Sequence, residues 1–386
     1  MTTFLLILFL SLTSSAFAGV FGPQSSHFQA TGRVDTFQWA PERYQSAFRY
    51  DVLYYIPDSI KDLENVKTLI FMHGGGGSTV TREGSLSVAT SYMKSDMVRL
   101  ANDLQMVVVV PSASGLNWGG HTVGMIRDLN HLIRKELNVD HNNMGLSGHS
   151  MGGMGIGRSF FWLADEFAYF LPMAAGMDPV IQTEDHLNKA FNVPYVHLQG
   201  LKDHFQVFVE RCQEQTKRTL VLEEKYKAKS MLEILYYDDG HNYDYKLMKT
   251  TIQRLQSKPR NIYQKNLYGS LYYNNNYYTE NNITFHQGSN DRYFWVEILE
   301  ASGTNPERLD FRATIINNII KIDFLQMPVN INAVRINLSK TLLSSEKYVE
   351  LIVNGKLIEK KMLQNQPYTN VADRAFTFED YIDIKF

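Results

Sequence analysis

Between residues 49 and 257 the chain alternates short apolar runs with longer stretches of helical period. The segment Arg49-Tyr50-Asp51-Val52-Leu53-Tyr54-Tyr55-Ile56-Pro57 alternates like an antiparallel strand and opens the series. The apolar run at 68–72 reads as a buried strand, and the stretches 106–111, 144–148, 170–174, 194–199 and 232–237 read as further strands. Helical stretches fall around them, at 90–104, 122–136, 151–164, 184–190, 205–228 and 243–257. This alternation predicts a doubly wound, mostly parallel α/β sheet with helices on both faces. The stretch 151–164 contains Gly152, Gly153, Gly155 and Gly157. Their cost in helix propensity predicts close packing of that helix against the sheet.

After Lys258-Pro259-Arg260 the pattern changes. Tyrosines 263, 268, 272, 273, 277 and 278 are set among asparagines, and short period-2 runs follow at 293–298, 312–315, 319–324, 333–338 and 348–353. The last run leads into Asn354-Gly355-Lys356, a strong hairpin signal. Short strands without helices predict a smaller carboxy-terminal all-β, sandwich-like domain. The expected division is 19–258 for an α/β domain, 259–290 for a linker or first strands, and 291–386 for the β domain.

Residues 1–18 carry a different signal. Phe4 to Leu10 is an apolar core, and Ala16-Phe17-Ala18 before Gly19 is a small-x-small cleavage site. The run is too short to span a membrane, and no later run is long and apolar enough to do so. A signal peptide and an exported, secreted or periplasmic protein are expected. At 386 residues the chain exceeds one ordinary domain, and its 44% apolar share suffices for packed cores. A formal charge of −2 offers no field for nucleic acid. Cys212 is the only cysteine, so an intramolecular disulfide is excluded.

The chemistry concentrates at the ends of the expected strands. Gly148-His149-Ser150-Met151-Gly152 reads Gly-x-Ser-x-Gly between an apolar run and a helix, the context of a nucleophile elbow. Side chains two before and two after the serine would collide in that turn, which accounts for the glycines. Upstream, His73-Gly74-Gly75-Gly76 closes another apolar strand. Its backbone N–H groups at Gly75 or Gly76, with that of Met151, are candidates for an oxyanion hole. His241 follows the run at 232–237, and Asp203 follows the run at 194–199. Ser150, Asp203 and His241 stand in the chain order of the α/β-hydrolase arrangement. Asp178, after the run at 170–174, competes for the role of acid. His73, Trp118, His121 and His149 are candidate pocket residues. No spacing suggests a metal site, and no cofactor is expected.

The His-Gly-Gly-Gly at 73–76, Gly-His-Ser-Met-Gly-Gly at 148–153 and Asp-Gly-His at 239–241 resemble the secreted esterases related to polyhydroxybutyrate depolymerases and feruloyl or acetylxylan esterases. Residues 125–140, preceding the elbow strand, and Asn117-Trp118 are similar as well. The resemblance covers residues 45–258 and implies ester hydrolysis through an acyl-enzyme, on ester substrates that include polymeric or cell-wall-derived ones. The chain departs from it in having no paired cysteines and in the region after residue 260. Two alternatives stay open: a serine peptidase on the same fold, and a surface- or polysaccharide-binding protein with an inactive hydrolase domain.

Overall fold

A computed structural model describes residues 27–41, 49–60, 65–75, 79–113, 118–119, 122–137, 139–176, 187–273, 277–280, 283–286, 292–302, 307–326, 330–343, 348–362, 368–371, 376–378 and 380–386. The signal-peptide segment, Gly76, His121 and Asp178 lie outside them.

The first half is built on eight strands: β1 (Val34–Trp39), β2 (Tyr50–Tyr55), β3 (Val66–Met72), β4 (Val107–Pro111), β5 (Val139–His149), β6 (Tyr169–Met173), β7 (Tyr195–Gly200) and β8 (Leu232–Tyr237). They hydrogen-bond in the order β1-β2-β4-β3-β5-β6-β7-β8. The pairs β1–β2 and β2–β4 are antiparallel, and every pairing from β4 through β3 to β8 is parallel. This is the mixed, mostly parallel α/β-hydrolase sheet expected from the sequence. β1 was not expected. Its sequence Val-Asp-Thr-Phe-Gln-Trp is only partly buried at the sheet edge, so no apolar run marks it.

Among the described residues six α-helices cover the sheet: α1 (Arg82–Tyr92), α2 (Val98–Leu104), α3 (Thr122–Glu136), α4 (Met151–Leu163), α5 (Gln206–Tyr226) and α6 (Tyr245–Gln256). Strand side chains divide by parity between two cores, as period 2 requires. Ile70, Val107, Val109 and Leu146 pack with Ile126 and Ile133 of α3 and Ile156 and Phe160 of α4. Leu69, Phe71, Val108 and Val110 pack on the opposite face with Ala89 of α1, Leu100 of α2 and Ile252 of α6. The helix expected at 90–104 begins earlier, where Thr81 caps it by accepting from the Gly84 N–H at 3.0 Å. A π-helical turn, Met93–Met97, interrupts it before α2. No helix among the described residues is long and apolar enough to cross a membrane.

The remainder is β structure. Strands β9 (Asn266–Tyr273), β14 (Glu307–Ile316), β15 (Ile319–Gln326), β17 (Tyr348–Val353) and β18 (Lys356–Met362) form one sheet, in the order β18-β17-β15-β14-β9. A second holds β12 (Arg292–Tyr293), β13 (Val296–Ala301), β16 (Ile331–Leu338) and β21 (Asp380–Lys385). Among the described residues there are also two antiparallel strand pairs, β10 (Tyr277–Glu280) with β11 (Ile283–His286) and β19 (Tyr368–Val371) with β20 (Phe376–Phe378). The Asn354-Gly355 signal is realised: both residues have positive φ, 48° and 78°, and join β17 to β18. Asn337 is fully buried in β16 and donates to Glu297.

The two halves share a buried seam. Lys189 is fully buried in the 3-10 turn Asn188–Phe191 that precedes β7. Its Nζ donates to the Ser270 carbonyl at 2.8 Å and lies 3.9 Å from the centre of the Tyr293 ring, a cation–π contact. Asn192 bonds Gln264 and receives the Tyr268 N–H, while Asp165 accepts from the Phe294 N–H. Residues 260–273, in the segment expected to be linker or first strands, thus supply β9 and part of this seam.

Candidate active site

The parallel strands deliver their carboxyl ends to one edge, where α/β sheets place their sites. The glycine loop leaves β3, Ser150 leaves β5, Asp203 leaves β7 and His241 leaves β8.

Ser150 sits at φ 54° and ψ −118°, a region that residues with a Cβ rarely adopt. Such a conformation costs about 1–3 kcal/mol and persists only where its surroundings enforce it. Here the Ser150 N–H is held by the Met173 carbonyl at 2.8 Å. The approach of β3 and α4 on either side fixes the turn. A Cβ on Gly152 would strike the Met72 carbonyl oxygen, and one on Gly148 would come within 2.8 Å of the Gly152 backbone. The flanking glycines are therefore a steric requirement of the elbow.

Ser150 Oγ lies 2.7 Å from His241 Nε2, and His241 Nδ1 lies 2.9 Å from Asp203 Oδ2. Asp203 is completely buried. Its Oδ1 accepts from the Phe205 N–H at 2.9 Å, and Gln199 Nε2 donates to Oδ2 at 3.1 Å. Two further donors thus fix the carboxylate in the orientation that accepts a hydrogen bond from His241 Nδ1–H. Sequence reasoning missed Gln199, although an amide near the end of the buried strand Tyr195–Gly200 was a visible signal. Asp238, beside His241 in sequence, is exposed and paired with Lys202 at 2.8 Å.

Met151 is the first residue of α4, where an N–H has no acceptor within the helix. Gly75 faces it across the site: a Cβ built there would collide with Thr79 and come within 3.1 Å of Met151 Cε. The Met151 side chain thus packs against Gly75, the other proposed oxyanion residue within the described residues.

Of the candidate pocket residues, His73 and Trp118 are enclosed behind the glycine loop, 0% and 2% exposed. The Trp118 indole donates to the His73 carbonyl at 2.8 Å. His73 Nε2 accepts from the Ala113 N–H at 3.0 Å, and Nδ1 meets the Gly74 carbonyl at 2.6 Å. Burial pushes the His73 imidazole down to about 4, so it stays neutral at pH 7. Both side chains support the loop from within. His149 is also buried, with partners on two sides of the site. Next to His241 the surface is aromatic: Phe205, 45% exposed, packs edge-on at 4.9 Å between ring centres, and Phe208 lies at 5.8 Å.

Cys212 packs inside α5 with Sγ 3.5 Å from His197 Nδ1. Burial raises the thiol to about 12 and lowers His197 to about 3, so the pair is an uncharged packing contact rather than a second nucleophile. Among the described residues no cluster of His, Cys, Asp and Glu could hold a metal ion.

No family model matches the chain, nor does any curated protein. Among solved structures it is similar to a thermostable esterase, at 16% identity and a TM-score of 0.45, over 59% of this chain and 63% of that one. It is also similar to the feruloyl esterase module from Clostridium thermocellum, at 13% identity and 0.43, over 61% and 92% of the respective chains. A third is the poly(3-hydroxybutyrate) depolymerase from Bordetella parapertussis, at 14% identity and 0.43, over 58% and 94%. The kinds of enzyme that the motifs resemble are thus among the solved structures to which this chain is similar.

Proposed function

We propose that the protein is an exported serine hydrolase that cleaves carboxylic esters through an acyl-enzyme. One observation carries the reading: Ser150 Oγ, the His241 ring and the buried Asp203 carboxylate lie in line, with contacts of 2.7 and 2.9 Å. The carboxylate accepts from Nδ1–H, which leaves Nε2 as the base facing Ser150. Oγ attacks the acyl carbonyl carbon while its proton passes to Nε2. The N–H groups of Met151 and of Gly75 or Gly76 receive the negative oxygen, each worth ~3 kcal/mol to the transition state. Nε2 then returns the proton to the leaving alcohol. Water repeats the sequence on the acyl-enzyme, with His241 again as base, and releases the acid.

The same machinery cleaves amides on other scaffolds, so the leaving group has to be tested. A panel of short-chain aryl esters beside matched aryl amides separates the two. Turnover on esters at least ~100-fold above the amides, in kcat/KM, supports the reading, and the reverse order supports a peptidase.

Within this reading residues 1–18 direct export, 19–258 carry the catalytic groups, and 259–386 supply the first strands and the β domain. Expressed with its leader in an exporting host, the protein should begin at Gly19 by amino-terminal sequencing. A mature product that retains Met1 or Thr2 would remove the signal-peptide assignment.

A further inference from the structure

The serine-before-helix motif places a second imidazole, His149, directly beside the nucleophile, and the mechanism above gives it no task. His149 is 7% exposed, too enclosed to line an open pocket. Its Nδ1 lies 2.6 Å from the Tyr92 hydroxyl, and its Nε2 lies 3.2 Å from the main-chain carbonyl of His241. The Tyr92 oxygen in turn lies against Gly74 in the glycine loop. One arrangement of protons satisfies both ring contacts. Tyr92 O–H donates to Nδ1, and Nε2–H donates to the His241 carbonyl.

We propose that Tyr92 and His149 are positioning residues that tie the oxyanion loop after β3 to the loop carrying His241, holding both against Ser150. The proposal rests on the serine-hydrolase reading of the site. The chain joins the two segments that must keep register during turnover, the oxyanion donors and the base. The strut is braced from outside. Tyr243, two residues beyond His241, stacks on Tyr92 with ring centres 6.2 Å apart and packs edge-on against His149 at 5.2 Å. Its hydroxyl donates to Asp96 at 2.7 Å. Asp96 belongs to the π-helical turn that follows Tyr92, a distortion frequent at functional sites. Gly74 fits the same design, because a Cβ there would meet the Tyr92 hydroxyl at 2.5 Å.

Protonation state matters to this role. Burial first, then the neighbouring His241, pushes the His149 imidazole down to about 4. A neutral ring can accept from Tyr92 while donating to the carbonyl. It also adds no positive charge 5.3 Å from the His241 ring, which becomes a cation in the transition state.

The test uses the full-length protein and the variants Tyr92→Phe, His149→Leu and His149→Gln, with the Tyr92→Phe/His149→Leu double variant. Three readouts are taken: kcat and KM on an aryl ester, melting temperature, and the low-field proton resonance of His241 Nδ1–H. Tyr92→Phe and His149→Leu should each lower kcat by roughly 10- to 100-fold with KM within about threefold, since a misplaced base acts on the transition state. The double variant should lose no more than the worse single one, because both cut the same chain. His149→Gln should recover most of the loss, its amide N–H reaching the His241 carbonyl as Nε2–H does. The resonance should broaden in Tyr92→Phe and His149→Leu. Full kcat and an unchanged resonance in folded Tyr92→Phe would overturn the proposal, and so would additive losses. A wild type that turns over no ester, yet shows the resonance and its loss in both variants, would refute the esterase reading and leave the positioning role supported.

Discussion

Ser150→Ala should reduce ester turnover by roughly 10⁶-fold while leaving the protein folded. The substitution removes one hydroxyl from a turn whose backbone is fixed elsewhere. The Ser150 N–H still bonds the Met173 carbonyl, and Gly148 and Gly152 still admit β3 and α4 to close approach. Alanine occupies φ 54° and ψ −118° with the same single Cβ as serine, so the strain is unchanged. The melting temperature should therefore stay within about 3 °C of wild type. Residual turnover close to wild type would mean that the base at His241 serves another nucleophile, and the elbow would be only a packing feature.

The second large effect belongs to the acid. Asp203→Asn should cut kcat by roughly 10³–10⁴-fold with little change in KM. An amide in this position can donate to His241 Nδ1, which favours the tautomer with its proton on Nε2, facing Ser150 and unable to accept. Geometry singles out Asp203: its carboxylate is fully buried, 2.9 Å from Nδ1, and held by the Phe205 N–H and Gln199. Asp178, the competing acid in the sequence, lies outside the described residues. Asp178→Asn should cost far less. With both variants equally stable, the opposite ranking in measured kcat would transfer the role to Asp178 and leave Ser150 and His241 in place.

The parts of the site that could be read in the sequence are those whose chemistry is local. A strained serine needs glycines two residues away on each side, so the elbow is written in five consecutive positions, Gly148 to Gly152. The runs that become β3, β7 and the second half of β5 are buried almost throughout, which makes them legible, and β8, only partly buried, still reads from its Ile-Leu-Tyr-Tyr; the residues after each lie at one edge of the sheet. What escaped was carried by tertiary contact. Tyr92 is a surface-like residue in a weakly patterned helix, and only the fold brings its hydroxyl to His149, 57 positions away. His73 stands in the glycine motif and Trp118 is picked out by the resemblance at Asn117-Trp118, and their hydrogen bonds turn both into the protein behind the loop. In the carboxy-terminal half, Asn266–Tyr273 was folded into a linker or first strands by its Tyr/Asn composition. Its strand character emerges from pairing along its length with β14.

The central claim, that Ser150 is the nucleophile of a working Ser-His-Asp site, is tested most directly by mapping an organophosphonate adduct. The reagent phosphonylates only a serine whose proton is removed by an adjacent base and whose developing oxyanion is stabilised. Incubated with wild-type protein and analysed by peptide mass mapping, it should modify Ser150 alone, at one equivalent per chain, and abolish ester hydrolysis in proportion. Ser150→Ala should remain unmodified. An adduct on a different serine, or full esterase activity in protein carrying no adduct after exhaustive treatment, would contradict the account.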